Sequence, residues 1–289
     1  MHLSRRSFVA ALALTGACSK APRKIVVGSK NTTEQALFGE IIALHLERRL
    51  GRPVERRLNL PGTQLAHDTI VGGGIDLYVE YSGAAYAVIK REEPAKDPAI
   101  ALERLKQEYS RAFLCEWLDP LGVDAAYIVV ATKQTAEDSK LVKISDAAED
   151  KTGFKFASSI EFQERSDGLP ALSGYRIRWK GPPRAFENER LYRLFQDGQV
   201  DLIGVNQTDG RLEKVNHVVL QDDKGVFRPQ VASIVVRQDA LKDEPLLKKS
   251  LAELTGKFNN GQMRDWNYKV DVIRRPVTDV AREFIKLNS

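Results

Sequence analysis

The feature that most constrains this chain is a repeated switch of hydrophobic period. Short β-branched runs alternate with segments whose apolar residues recur every three or four positions. K-I-V-V-G (24–28) is followed by E-Q-A-L-F-G-E-I-I-A-L-H-L, where Leu37, Ile41 and Leu44, with Phe38 and Ile42, fall on one helical face. Thr32 and Gln35 make a capping-box pattern at the start, and Gly51 ends the helix. The same reading predicts a strand at 54–60, a helix at 64–71, a strand in I-D-L-Y-V-E-Y and a helix over 97–113. Further strands are predicted at 126–132, 154–158, 200–205 and 231–237, with helices from 144, 191, 245 and 275. Alternation of this kind predicts α/β architecture, a parallel sheet with helices on its faces. At 289 residues the chain suits two lobes of about a hundred residues each. We place the crossings near 122–127 and 205–212, so that 24–124 begins the first lobe, 125–206 builds the second and 207–289 returns to the first. A cleft between two such lobes is a preferred place for a small molecule.

The first seventeen residues read as a targeting segment. Arg5 and Arg6 precede the apolar run F-V-A-A-L-A-L, and small residues lead to Cys18. Ten apolar residues extend only ~15 Å as a helix, too short for a ~30 Å hydrocarbon core. The charge, apolar stretch and small residues are what a secretory signal needs. S-R-R-S-F-V resembles a twin-arginine export signal, and L-T-G-A-C resembles a lipoprotein box that would lipidate Cys18, with Thr15 where leucine is usual. A plain cleaved signal is the alternative; residues 18–23 then form a tether. No later segment is apolar enough to span a membrane.

The net charge of +5 falls to +3 once Arg5 and Arg6 leave with the signal, and no run of five like charges occurs. A nucleic-acid footprint is therefore not expected. With Cys18 lipidated, Cys115 has no disulfide partner and reads as a small buried hydrophobe. His45 lies inside an amphipathic helix, His67 could face a cleft, and no histidines have metal-ligand spacing. G-G-G (72–74) precedes a strand instead of following one, so it is not a dinucleotide loop. No nucleophile is assembled with a base, and no cofactor or metal motif is present. The pattern is that of a binding protein without chemistry.

Eight stretches carry a family resemblance: G-S-K-N-T-T-E-Q (28–35), L-N-L-P-G-T-Q-L-A-H (58–67), G-I-D-L-Y-V-E-Y-S-G (74–83), W-L-D-P-L-G (117–122), E-F-Q-E-R-S-D-G-L-P (161–170), Q-T-D-G-R (207–211), L-Q-D-D-K-G-V-F-R-P (220–229) and N-Y-K-V-D (267–271). In this order they resemble the glycine betaine/choline/carnitine-type substrate-binding proteins of osmoprotectant ATP-binding-cassette importers. The resemblance implies a type II periplasmic-binding-protein fold, two α/β lobes hinged about a cleft. It implies a monomer that hands a quaternary-ammonium ligand to a permease and ATPase outside the cytoplasm, and the lipoprotein box adds a membrane anchor through Cys18.

Such a ligand has no N–H to donate, so aromatic faces must hold its cation, at ~0.5–2 kcal/mol each. Its carboxylate wants a cation or a fork of donors. By resemblance, Lys30 and Arg165 face the carboxylate, and Tyr81 and Tyr127 are cage walls. Asn206 stands where some relatives carry another cage tyrosine. Thr208, with Asp209 and Gly210, belongs to the second crossing. Tyr78, one strand face away from Tyr81 or on a different layer, is expected to pack. Ala84 replaces a threonine that donates to the carboxylate in many relatives, and Ala125 replaces an acidic or amide residue. Tyr192, Phe186, Trp179 or Phe227 could supply a missing wall. The incomplete cage leaves a second ligand class open, another zwitterionic amino-acid derivative.

Overall fold

The computed structural model describes residues 23–95 and 97–287. The targeting segment 1–17, Cys18 and the tether up to residue 22 lie outside the described residues. Among those described, the strands are β1 (Val26–Lys30), β2 (Glu55–Leu60), β3 (Leu77–Tyr81), β4 (Cys115–Asp124), β5 (Tyr127–Thr132), β6 (Phe156–Ser158), β7 (Arg184–Ala185), β8 (Leu202–Asn206), β9 (His217–Leu220) and β10 (Val231–Arg237). They form two five-stranded sheets, ordered β2-β1-β3-β10-β4 and β7-β6-β8-β5-β9.

Both sheets are mixed, which corrects the expectation of a parallel sheet. β1 runs parallel to β2 and β3, and β6 parallel to β7 and β8. However, β10 is antiparallel to β3 and β4, and β5 is antiparallel to β8 and β9. The reason lies in the crossings. β4 and β5 run out of one lobe into the other, and β10 re-enters the first lobe from the opposite end, so these strands oppose their βαβ neighbours. Hydrophobic period reports burial, not strand direction.

Each sheet is covered on both faces, giving three packed layers and two cores per lobe. In the first lobe, Leu77 and Val79 of β3 face a core shared with Leu37, Phe38, Ile41 and Ile42 of the helix Thr33–Leu50 and with Val280 and Phe284 of the helix Val277–Leu287. Tyr78, between them, points to the other face among Ile70, Leu105, Tyr109 and Trp117. The two-residue side-chain period of a strand requires this. The helix Thr33–Leu50 begins as expected: Thr32 Oγ1 accepts from the Gln35 backbone N–H at 3.4 Å. Gly51 closes it in the left-handed region at φ 65°, where a side chain would be strained. The second lobe likewise has Tyr127, Val129, Phe156 and Phe162 on one face and Val130, Ala157, Leu191 and Ile203 on the other.

The link between the lobes is more interwoven than two crossings. After β8 the chain meets the first lobe at 208–214, where Gly210 lies so close to the helix Asn260–Asp271 that a Cβ would sit 2.1 Å from the Tyr268 backbone nitrogen. It then goes back to lay β9 along β5 before leaving by 221–230. The second lobe therefore does not close at Asn206. β5 would otherwise present an unpaired edge, and β9 covers it. The crossing segments are joined by hydrogen bonds. Asp124 Oδ1 accepts from the backbone N–H groups of Ala126 (3.0 Å) and Gln230 (2.7 Å). Asn206 Nδ2 donates to Ala125 O at 2.9 Å, and Gln207 Nε2 donates to Asp124 O at 2.6 Å.

Candidate functional site

The parallel strands of both sheets deliver their carboxyl ends to one place, as open α/β sheets do. Lys30 ends β1, Tyr81 ends β3 and Asn206 ends β8. Tyr127, at the start of antiparallel β5, and Arg165, just past the helix Ile160–Glu164, come from the second lobe. Between the lobes lies a cleft of about 650 Å³, within the range of small-molecule sites. Lys30, Tyr81, Tyr127, Arg165, Asn206 and Thr208 all line it, although they are spread over most of the chain. A second hollow, about 320 Å³, is lined by His45, Arg49, Glu253 and Lys257 of the first lobe alone. The larger cleft is the candidate because both lobes and the crossing segments converge on it.

The aromatic candidates separate cleanly. Tyr81 and Tyr127 stand on walls from different lobes, and Phe186 adds a third ring. Tyr192 lies in the core over β8, Phe227 packs near Phe162 at 5.8 Å, and Trp179 lies against Phe156 at 4.9 Å. Phe186 already has the guanidinium groups of Arg184 and Arg190 at 4.7 and 4.9 Å from its centroid. Lys30 Nζ stands 4.8 Å from the Tyr81 ring, and the Arg165 guanidinium carbon stands 5.5 Å from that of Tyr127. Each tyrosine thus carries one protein cation at its ring.

The two cations expected to meet a ligand carboxylate are both paired. Lys30 is buried, and its Nζ donates to Glu80 Oε1 at 2.5 Å and to Thr63 Oγ1 at 3.3 Å. Glu80, fully buried, also accepts the Tyr81 backbone N–H at 2.7 Å and the Tyr78 hydroxyl at 3.1 Å. A buried charge needs such a partner, because leaving either ion alone would be costly. Arg165 donates in a fork to Asp167, Nε at 2.8 Å and Nη2 at 2.7 Å, and its Nη1 donates to Glu161 at 2.9 Å. Burial alone would lower its pKa, but the fork to Asp167 and the nearby acids more than offset that and hold it above the usual arginine value. Arg211 pairs with Asp271 at 3.0 Å and Asp209 at 3.3 Å.

Three cleft groups lay beyond the sequence reading. Glu34, in the first turn of its helix, is buried and accepts the Tyr81 hydroxyl on Oε1 and Asn267 Nδ2 on Oε2, the latter at 3.0 Å. Burial pushes its carboxyl above the usual range, opposed by hydrogen bonds from Thr208, Tyr81 and Asn267 and by the charge of Lys30. Gln230 joins the lobes: its Nε2 donates to Asp167 at 2.8 Å and its Oε1 accepts the Ala84 N–H at 2.9 Å. Ala84 therefore offers the cleft neither a side-chain donor nor a free amide. Glu34 stood inside the motif at 28–35, but its partner Asn267 is 233 positions away, and nothing local connects them. His67, for which a cleft position was open, lies instead against Phe113 and Tyr109, with centroids at 4.5 and 5.6 Å. Among the described residues no group of His, Cys, Asp or Glu is placed to hold a metal ion.

Residues 23–287 match the profile of a family described as the substrate binding domain of ABC-type glycine betaine transport system. The ergothioneine transport permease/ergothioneine binding protein EgtU of Helicobacter pylori (strain G27) is 31% identical over 91% of this chain. The chain spans about half of that relative, 47% of its length. The carnitine transport binding protein OpuCC of Listeria monocytogenes is 28% identical over 99% of this chain and 94% of its own. A solved structure of a glycine betaine/carnitine/choline ABC transporter superposes with a TM-score of 0.81 at 26% identity, covering 91% of this chain and 98% of that one.

Proposed function

The chain belongs to the family of substrate-binding domains of ABC-type glycine betaine transport systems, and from that premise we propose that its interlobe cleft captures a trimethylammonium compound by the faces of Tyr81 and Tyr127. The observation that carries this reading is the position of these two rings on opposite lobes of a single cleft, with Phe186 beside them. A trimethylammonium head has no N–H to donate, so aromatic faces meet its charge, each contributing ~0.5–2 kcal/mol. Micromolar affinity needs ~8 kcal/mol, within the ~1.5 kcal/mol per heavy atom open to a very small ligand. Contacts from both lobes favour the closed population, and that form is the one a membrane permease and its ATPase would receive. The family is one of binding proteins, not of enzymes.

The same reading places the protein outside the cytoplasm, as a monomer held at the membrane through a lipid on Cys18. No helix among the described residues is long and apolar enough to cross a membrane. Calorimetric titration of the mature protein tests the ligand class. Glycine betaine, choline, carnitine and ergothioneine form the trimethylated panel, and glycine is the unmethylated control. At least one trimethylated compound should bind and glycine should not; silence with the whole panel would remove the proposal. A second reading, another zwitterionic amino-acid derivative, is favoured by the pairing of Lys30 and Arg165 with Glu80 and Asp167.

A further inference from the structure

Of the acids on the cleft wall, Glu34, Glu164 and Glu187 make no ion pair in the described structure, and Glu34 is the buried one of the three. Lys30, Arg165 and Arg211 each meet a carboxylate. Glu34, by contrast, makes no ion pair in the described structure; it is 7% exposed and lines the cleft. The donors around it are spent on it. The Tyr81 hydroxyl gives its one proton to Oε1. Asn267 Nδ2 divides its two protons between Glu34 Oε2 and Thr208 O, the latter at 2.9 Å. The amide is held in this orientation by two acceptors, so its Oδ1 is the atom left over, and that oxygen is buried without a partner. Asn267 is itself only 5% exposed and lines the cleft.

This corner therefore offers an incoming molecule acceptors and negative charge, and no free proton. Closing the lobes over it removes water from around a carboxylate and leaves the amide oxygen still unpaired, which is unfavourable unless the ligand supplies hydrogen bonds. A trimethylammonium group can supply charge but no N–H. A ligand that satisfies the corner carries a second group with a proton to give, a hydroxyl or a ring N–H.

We propose that Glu34 and Asn267 Oδ1 form a donor-reading subsite, so that the cleft selects trimethylammonium compounds bearing an N–H or O–H donor over simple betaines. This rests on the trimethylammonium reading above and narrows it. A site built to hydrogen-bond a donor rejects the analogue lacking one, because its own polar groups are then left unpaired.

The test is a calorimetric ranking of glycine betaine (no donor), choline and carnitine (O–H) and ergothioneine (ring N–H), on the wild type and on Glu34→Gln. We expect at least one donor-bearing compound to bind wild type tenfold or more tighter than glycine betaine. Glu34→Gln should weaken that compound at least tenfold and glycine betaine less than threefold. Glycine betaine binding tightest, or equal losses for all compounds in the variant, would overturn the subsite and leave the trimethylammonium reading standing. Failure of every compound to bind would overturn both. The wild-type ranking needs no variant, so it decides the matter even if Glu34→Gln folds poorly.

Discussion

Tyr81 and Tyr127 do two things each, and the substitutions that separate them differ accordingly. Tyr127 is nearly buried and meets Phe162 edge-on at 4.8 Å, so truncation to alanine would open a cavity costing about 3–5 kcal/mol, apart from any effect on ligand. Leucine keeps most of the volume and removes the π face together with the hydroxyl, which in Tyr81 donates to Glu34, so Tyr81→Phe is the control for that hydrogen bond. We therefore expect Tyr81→Leu and Tyr127→Leu each to weaken trimethylammonium binding about tenfold, the upper part of the range for one desolvated cation–π contact. Melting temperature and calorimetry on the same samples check this: a stable variant with unchanged affinity would make that ring packing only. At this scale the site was legible where chemistry is carried by one residue type in one motif. Tyr81, Tyr127, Lys30 and Arg165 came from short stretches and all line the cleft, whereas Tyr192, Trp179 and Phe227 pack in cores. The counter-ions did not, although Glu80 adjoins Tyr81 and Asp167 is two positions from Arg165. Spacing reveals which side chains can meet, but not whether a cation's nearest acid is part of its fold or an accident of composition.

Among elements, the helix Gly62–Val71 carries a buried titratable group into an apolar cluster. Burial lowers the pKa of His67 below its usual value, with only weak opposition from Asp68 and Glu80, and its Nδ1 has no partner. The unfolded chain binds the proton first as pH falls, so this histidine removes stability as pH drops through about 6.5, the unperturbed value. We expect urea midpoints of the wild type to fall between pH 7.5 and 5.5 by more than those of His67→Gln; equal slopes would show that His67 does not contribute to the acid sensitivity. Elements with strong periodicity were readable from sequence, and β10 coincides with the predicted 231–237. β4 was not, because Pro120 and Gly122 break its pattern. It survives as an edge strand paired only with β10, with two register shifts, where a missing N–H is tolerated. β9 is four residues long and only partly buried, so it has almost no signal of its own. Its existence depends on the edge of β5, which is tertiary information.

Over the whole molecule, the export reading makes a prediction independent of the cleft. If Cys18 carries a lipid, Cys18→Ser should move the protein from membrane to soluble extracytoplasmic fractions; retention of the variant on membranes would contradict the anchor. A single acyl chain binds membranes only marginally, so the comparison should be made after a high-salt wash that removes charge-based attachment. The two-lobed architecture was visible in the alternation of periods. The mixed direction of the sheets was not, since it follows from how often the chain passes between lobes. The helix Val277–Leu287, whose Val280 and Phe284 join the core beneath the helix Thr33–Leu50, belongs to the first lobe. A ribosome releases that helix long after residues 127–220 of the other lobe have emerged. Of the two lobes, the one begun first is consequently the one completed second: the helix Thr33–Leu50 must wait for its packing partner until residues 277–287 are made, while the later-made lobe already has every strand it needs.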